Sequence, residues 1–551
     1  MMKKPSLSIL FLVLAALSGT AQGVYVSDPK NLKGGEYRNP VIHADYSDPD
    51  VVTAPDGKTF YMTASSFSSV PGLPILKSTD LVNWSLVNHA LKSVPPTDFY
   101  SAAPRHGKGV WAPCIRFHNG EYYIYWGDPD FGIFMVKAKD PEGAWSEPVL
   151  VKAGKGLIDP SPLWDADGRA YLANGWAASR AGFNSVITVS EMNSEGTKVT
   201  SEPRMVFDGN DGVNHTVEGP KFYRRGDWYY MFAPAGGVAT GWQLVMRSKN
   251  VYGPYESKIV MAQGKSDING PHQGAWVNAG EAGDWFLHFQ DKDAYGRVVH
   301  LNPLAWKNDW PVIGVDKERD GCGEPVRKHR KPNLKNTLAA EPFESDDLSL
   351  YQWHGNYQDM FGFPIPEGMM RLYGHKLSKD FVNLWEVPNL WLRKFPAEEF
   401  TLTAKVRISA KSTSEEVASG IIVMGWDYAT LGLRKRGDGF ELQFTTCMDA
   451  EQGGKENIRN LGMIKPSRTY RAGLHPNLER DLWLRVRVNG DGECLFSYSE
   501  DGKNFSEAGA FKARAGKWIG AKAGFFSITP DQASDRGWID IIETQLTTPK
   551  K

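Results

Sequence analysis

The sequence predicts an all-β chain, a five-bladed β-propeller followed by a β-sandwich, and three observations carry that prediction. Five segments in the first 310 residues repeat one layout, their leading residues spaced by 63, 48, 59 and 54 positions. Within each, a tight Gly-containing turn, Asp-Gly or Asn-Gly in three of the five, joins two apolar runs, the local signature of a hairpin. Beyond residue 340, apolar and polar residues alternate with period two. Aromatics supply 12% of the 551 residues, which suits β-rich cores better than helical bundles.

In chain order, residues 1–21 read as a secretory signal: Lys3 and Lys4, an apolar run from Leu7 to Leu17, then Gly19-Thr20-Ala21 before a cleavage point. The run of about 11 residues is too short for the ~20 that span a bilayer. Export to the periplasm or the exterior, without a membrane anchor, is therefore expected. Four cysteines, Cys114, Cys322, Cys447 and Cys494, have no metal-type spacing, and a Cys447–Cys494 bridge and four free thiols both stay open. Lys+Arg 63 against Asp+Glu 64 gives a net charge of −1, so nucleic acid is not an expected partner.

Residues 22–315 are expected to form the propeller. Asp48-Pro49 leads to the turn Asp56-Gly57, and Trp111-Ala112-Pro113 to Asn119-Gly120. Asp159-Pro160 leads to Asp167-Gly168, Glu218-Gly219-Pro220 to Gly226, and Pro271-His272 to Gly283-Asp284. A unit of ~55 residues with several strands fits a propeller blade better than a sandwich series or a β-helix. Prolines at the opening strand fit as well, because an edge strand loses no ladder bond to them. Residues 316–339, which include Arg327-Lys328-His329-Arg330-Lys331, are expected to be a solvated linker. Residues 340–551, with alternating runs such as Phe400–Val406 and Leu482–Val488, are expected to form one jelly-roll sandwich.

A propeller brings the opening strands of its blades to one axis, and three of the five leading positions carry acids: Asp48, Asp159 and Glu218. Each taken singly is an ordinary turn or loop residue. Gathered at one axis they repel, so the arrangement calls for a use. Glycoside hydrolysis supplies one: an acid protonates the leaving oxygen, a carboxylate activates water or attacks, and a third charge keeps the acid protonated.

At these residues the chain resembles glycoside hydrolase family 43. The resemblance runs through Asn39-Pro40-Val41-Ile42, Asp45-Tyr46-Ser47-Asp48-Pro49, Trp111-Ala112-Pro113, Ile158-Asp159-Pro160, Glu218-Gly219-Pro220, Gly270-Pro271-His272-Gln273-Gly274 and Gly296-Arg297-Val298-Val299-His300-Leu301. The appended sandwich, with Gln352-Trp353-His354-Gly355-Asn356, looks like the concanavalin-like domain of the family's β-xylosidase and arabinofuranosidase members. The resemblance implies Asp48 as general base, Glu218 as general acid and Asp159 as the residue that tunes and orients. Asp45 competes with Asp48 for the base. It further implies an inverting reaction, with base and acid carboxyls about 6.5 to 9.5 Å apart.

Arg297 and His272 match family residues near the active site. Arg297 is expected to hold Asp159 ionised or to bind a sugar hydroxyl; His272 to bind substrate or contact a structural calcium, no cofactor being needed for the chemistry. Trp111 and Phe67 are candidates for the sugar pocket's walls. The base segment departs from the family's usual Pro-Asp-Pro-Ser, reading Ser47-Asp48-Pro49-Asp50.

The expectation is an exo-acting pentosidase that removes terminal α-L-arabinofuranosyl or β-D-xylosyl units from plant cell-wall oligosaccharides or polysaccharides. The departure at Asp50 tilts it toward arabinofuranose. The alternatives are a β-D-xylosidase proper and a carbohydrate-binding propeller without turnover.

Overall fold

The computed structural model describes residues 22–23, 34–338, 347–470, 475–530 and 536–549. The expected signal segment 1–21 and the boundary at 339/340 lie outside them. Five antiparallel sheets follow one another along the chain, each with its first four strands in sequence order. Their opening strands are Asp50–Thr53, Trp111–His118, Leu157–Trp164, Lys221–Arg225 and His272–Asn278. Each is the edge of its sheet, and they pack beside one another at the axis, so Pro113 and Pro160 cost no ladder bond.

Local chemistry sets the hairpins. Asn119 and Gly120 join the paired residues His118 and Glu121 with φ of 46° and 81°, the doubly left-handed turn that Asn-Gly favours. At the first hairpin Asp56 accepts the amides of Lys58 and Thr59, both at 2.9 Å. Apolar residues then fill the wedges between blades. Tyr123, Ile133, Met135 and Leu172 lie between the second and third, and Tyr171, Ile187, Met231 and Phe222 between the third and fourth.

The last blade is sealed to the first by the segment before it. Val41 N–H donates to Val299 C=O at 2.8 Å, and Asn39 Nδ2 donates to the carbonyls of Leu301 and Val326 at 2.7 and 2.8 Å. Residues 316–338, expected as a solvated linker, run back along the propeller instead. Lys328–Arg330 pairs with Glu36–Arg38 as a two-stranded sheet, and Glu324 bridges to Val315. Within the basic run only His329 turns toward the ring, against Tyr37 and Trp285, and its Arg and Lys neighbours are exposed.

The C-terminal domain is a sandwich of two sheets. Sheet A runs in the order Tyr351–Trp353, Trp391–Lys394, Lys522–Thr529, Ala418–Met424, Tyr428–Arg436, Gly439–Cys447, Glu456–Ile464. Sheet B is centred on Trp538–Thr547, Phe400–Lys411 and Asn477–Val488. The four cysteines are free thiols, Cys447 and Cys494 buried in separate apolar clusters.

The two domains share one core: Val70, Leu73, Tyr100 and Val110 of the propeller pack in a single cluster with Tyr351, Trp353 and Trp391 of the sandwich. Polar ties lock the seam. Val94 N–H donates to Asn356 Oδ1 at 2.8 Å, Lys522 Nζ reaches Ser69 Oγ at 2.7 Å, and His106 stacks on Trp385 at 3.6 Å.

Candidate active site

Each opening strand is entered through a residue with left-handed backbone: Asp48 (φ 56°), Ala112 (35°), Asp159 (54°), Gly219 (60°) and Gln273 (33°). Asp tolerates this region better than most side chains, and strained backbone of this kind gathers at functional sites. Asp48 and Asp159 thus occupy equivalent positions. Glu218 stands one residue earlier, equivalent to Trp111 and His272, which refines the expectation of matching positions. Its carboxyl leaves the strand in a different direction and is the most open of the three, its side chain 32% exposed against 6% for Asp48.

Asp48 is held from three sides. Ser47 Oγ donates to Oδ2 at 2.8 Å, Ser65 Oγ donates to the same oxygen at 2.5 Å, and Arg297 Nη1 lies 3.5 Å from Oδ1. Ser65 is itself fixed by the amide of Ala112, which donates to its Oγ at 2.7 Å. Arg297 therefore reaches Asp48 and not Asp159 as expected; its Nη1 also donates to Ser47 Oγ at 2.7 Å. Asp45, the competitor for the base, accepts the backbone N–H of Arg297 at 2.9 Å beside the domain seam, where it orients Arg297 instead of facing the axis.

Asp159 accepts the Gly219 amide at 2.7 Å. Burial pushes its carboxyl well above the usual carboxylate range, and the charges of Glu218 and then Asp48 push it further, against the Gly219 N–H and Lys221. Asp159 is accordingly harder to ionise than an isolated aspartate.

Glu218 Oε1 lies 2.9 Å from His272 Nε2. That contact occupies the nitrogen facing the axis, and among the described residues no group of three or more His, Cys, Asp or Glu is placed to hold a metal. The other ring nitrogen, Nδ1, is buried without a hydrogen-bond partner among the described residues.

The aromatics form one wall. Trp111 meets Phe67 edge-on at 6.4 Å and Trp518 edge-on at 6.1 Å, and Arg297 lies 5.7 Å from the Trp518 ring. Phe67 is buried behind Trp111, whereas Trp518 comes from a sandwich loop and is half exposed. Sequence reasoning missed Ser65 and Trp518, neither of which stands in a repeated motif. The additional acid Asp50 points away from the chemistry: it is fully buried, accepts the Ile115 amide at 2.7 Å and pairs with Arg116 at 2.7 Å.

Comparison with known proteins fits this geometry. The model described as glycosyl hydrolases family 43 matches residues 37–311, and one described as a β-xylosidase C-terminal concanavalin A-like domain matches 340–542. A Xylanibacter ruminicola protein provisionally named a β-xylosidase is 35% identical, over 89% of this chain and 86% of its own. A non-reducing end α-L-arabinofuranosidase of Bacteroides ovatus is 29% identical, over 71% of this chain and 74% of its own. The crystal structure of a xylan β-1,4-xylosidase from Bacillus halodurans superposes with a TM-score of 0.77 at 19% identity, over 93% of this chain and 99% of that one.

Proposed function

The chain belongs to glycosyl hydrolase family 43, and from that premise we propose that it is an inverting exo-glycosidase releasing single pentosyl units, β-D-xylosyl first, from the non-reducing ends of xylan-type glycans. The observation that carries the mechanism is the electrostatic convergence of Asp48, Asp159 and Glu218, with Asp159 feeling both of the others. Glu218, the most open, protonates the glycosidic oxygen as its bond to the anomeric carbon breaks. Asp48, fixed by Ser47, Ser65 and Arg297, takes a proton from the water whose oxygen bonds to that carbon from the opposite face. Asp159, held by the Gly219 amide beside Glu218, orients the acid, and after the reaction Asp48 gives its proton to solvent and Glu218 takes one up.

The relatives support xylose ahead of arabinose, and the Asp50 variant no longer argues the other way, because Asp50 is committed to Arg116. The arabinofuranosidase relative supports activity on α-L-arabinofuranosides as the second reading. The 4-nitrophenyl glycosides of both sugars separate the two, and release from neither would sink the exo-pentosidase reading. Proton NMR of the first-formed xylose anomer tests inversion: α-xylose from a β-linked substrate is expected. Asp48→Ala and Glu218→Ala are each expected to lower turnover about 100- to 10,000-fold with the fold intact. Export through the 1–21 segment is part of the same proposal, and N-terminal sequencing of the secreted protein is expected to begin at Gln22.

A further inference from the structure

Beneath the acids lies a buried cation that the catalytic steps above do not use. Two residues past the left-handed position of each blade stand Asp50, Cys114, Ser161, Lys221 and Ala275, all buried, as a second layer on the axis. Lys221 is 1% exposed. The Phe222 N–H beside it donates to Ser161 Oγ at 2.8 Å, which sets the two strands level. From that level Lys221 Nζ reaches the Pro113 carbonyl of the second blade at 2.8 Å, one residue nearer the acids. The strand between, Leu157–Trp164, packs beside both of the strands so joined, and it carries Asp159. The ammonium therefore rises toward the acids past the third blade's strand, between the levels of Ser161 and Asp159.

Charge matching gives this ammonium one counter-ion. Asp50 is taken by Arg116 at 2.7 Å, Asp48 has Arg297 at 3.5 Å, and Glu218 has His272 at 2.9 Å. Asp159 accepts the Gly219 N–H and, among the described residues, has no close ion pair of its own. The remaining ionisable groups of these strands stay neutral: burial pushes the Cys114 thiol up to about 12 and the Tyr223 hydroxyl well above its usual range. A buried charge is costly unless an opposite charge answers it. Lys221 and Asp159 answer each other, and Lys221 is the cation that draws the raised Asp159 carboxyl back down.

We propose that Lys221 is a positioning residue for the reaction, the buried counter-charge that holds Asp159 as an anion beneath the acid Glu218. The catalytic consequence rests on the proposed function; the pairing itself rests on the second layer. An anionic neighbour is what keeps a general acid protonated, so Lys221 acts on Glu218 through Asp159 without touching the sugar. Its strap to Pro113 also braces the Ala112 amide next door, which fixes Ser65 against Asp48.

Two variants of the full-length protein separate the charge from the strap: Lys221→Met lacks both, whereas Lys221→Gln keeps an N–H donor for Pro113. Losing a cation raises the pKa of every carboxyl it faces, so the pH profile of kcat/KM on 4-nitrophenyl β-D-xyloside is expected to move up by about 1 pH unit in both variants. At the new optimum kcat on xylobiose is expected to fall about tenfold, and less on the nitrophenyl xyloside. An unmoved profile in both overturns the proposal, as does a shift in Lys221→Met alone, which would assign the effect to the hydrogen bond. Failure of both variants to fold would make Lys221 structural and overturn it too. Infrared titration of the carboxyl C=O band lost in Asp159→Asn needs no turnover, and in Lys221→Met that band is expected to persist to higher pH. If the parent hydrolyses neither pentoside, the proposed function fails, while this band still judges the pairing; an unchanged band overturns it.

Discussion

His272 Nε2 lies 2.9 Å from Glu218 Oε1, with the imidazole buried and the carboxyl open to the pocket. The histidine therefore aims the acid without competing for the sugar. His272→Ala is expected to lower kcat about tenfold on xylobiose and much less on the nitrophenyl xyloside, whose leaving group needs little proton assistance. Equal losses on both substrates would show that His272 does not act through Glu218.

Ser65 fixes Asp48 from a neighbouring strand and is itself fixed by the Ala112 amide. Ser65→Ala removes one hydrogen bond from the base and frees one buried amide. A fall in kcat of about tenfold, with KM nearly unchanged, is expected from steady-state kinetics on the nitrophenyl xyloside, since the group lost touches the base and not the sugar.

Trp518 combines half exposure with a left-handed backbone (φ 66°) in the loop that meets Trp111 and Arg297. Trp518→Gly relieves that backbone while deleting the ring. KM is expected to rise severalfold while the Tm holds or rises. An unchanged KM would remove Trp518 from the pocket wall.

Asp50, fully buried, and Arg116, mostly buried, form a tie between the first two blades. Arg116→Leu leaves Asp50 without its cation and is expected to cost about 3–5 kcal/mol in urea unfolding, much of it recovered in the Asp50→Leu/Arg116→Leu double variant. Arg116 also lies 4.7 Å from the Tyr223 ring, so recovery is expected to be incomplete.

Acid is expected to loosen the domain seam. Burial lowers the His106 imidazole to about 4 and holds His354 well below its usual range, the two rings lying 4.4 Å apart. Their unfolded counterparts take up protons near 6.5, so the unfolded state binds more protons between about 4 and 6.5 and stability rises with pH across that window. The stabilisation is full above 6.5 and is lost as pH falls toward 4. Urea midpoints at pH 7 and pH 5 are expected to differ, and His106→Gln to narrow the difference; no pH dependence would contradict this.

Much of the propeller was legible because blade hairpins are written in local chemistry, Asn119-Gly120 being a clear case. The outermost strands were not, because Val149–Ala153 and Arg204–Asp208 are poorly buried and hold apolar runs of only three residues. The acids were legible through their repeat, although their offset of one residue became visible only in the left-handed backbone. Arg297 was placed in the site correctly but against the wrong carboxylate, since sequence spacing says nothing about which way a long side chain turns. Ser65 and Trp518 could not be read: one is a serine among Ser65-Ser66-Phe67-Ser68-Ser69, and the other lies 470 positions from Asp48 in sequence.

The seal of the ring also sets a timetable for synthesis. Asn39 and its partner Leu301 are 262 positions apart, so at ~5–20 residues per second the first blade waits roughly 10 to 50 s for the strand that closes it. Throughout that interval the segment from Asn39 to Tyr46 offers its unpaired backbone to any passing strand. The nascent chain is thus most open to misassembly before the finished enzyme has any pocket to protect.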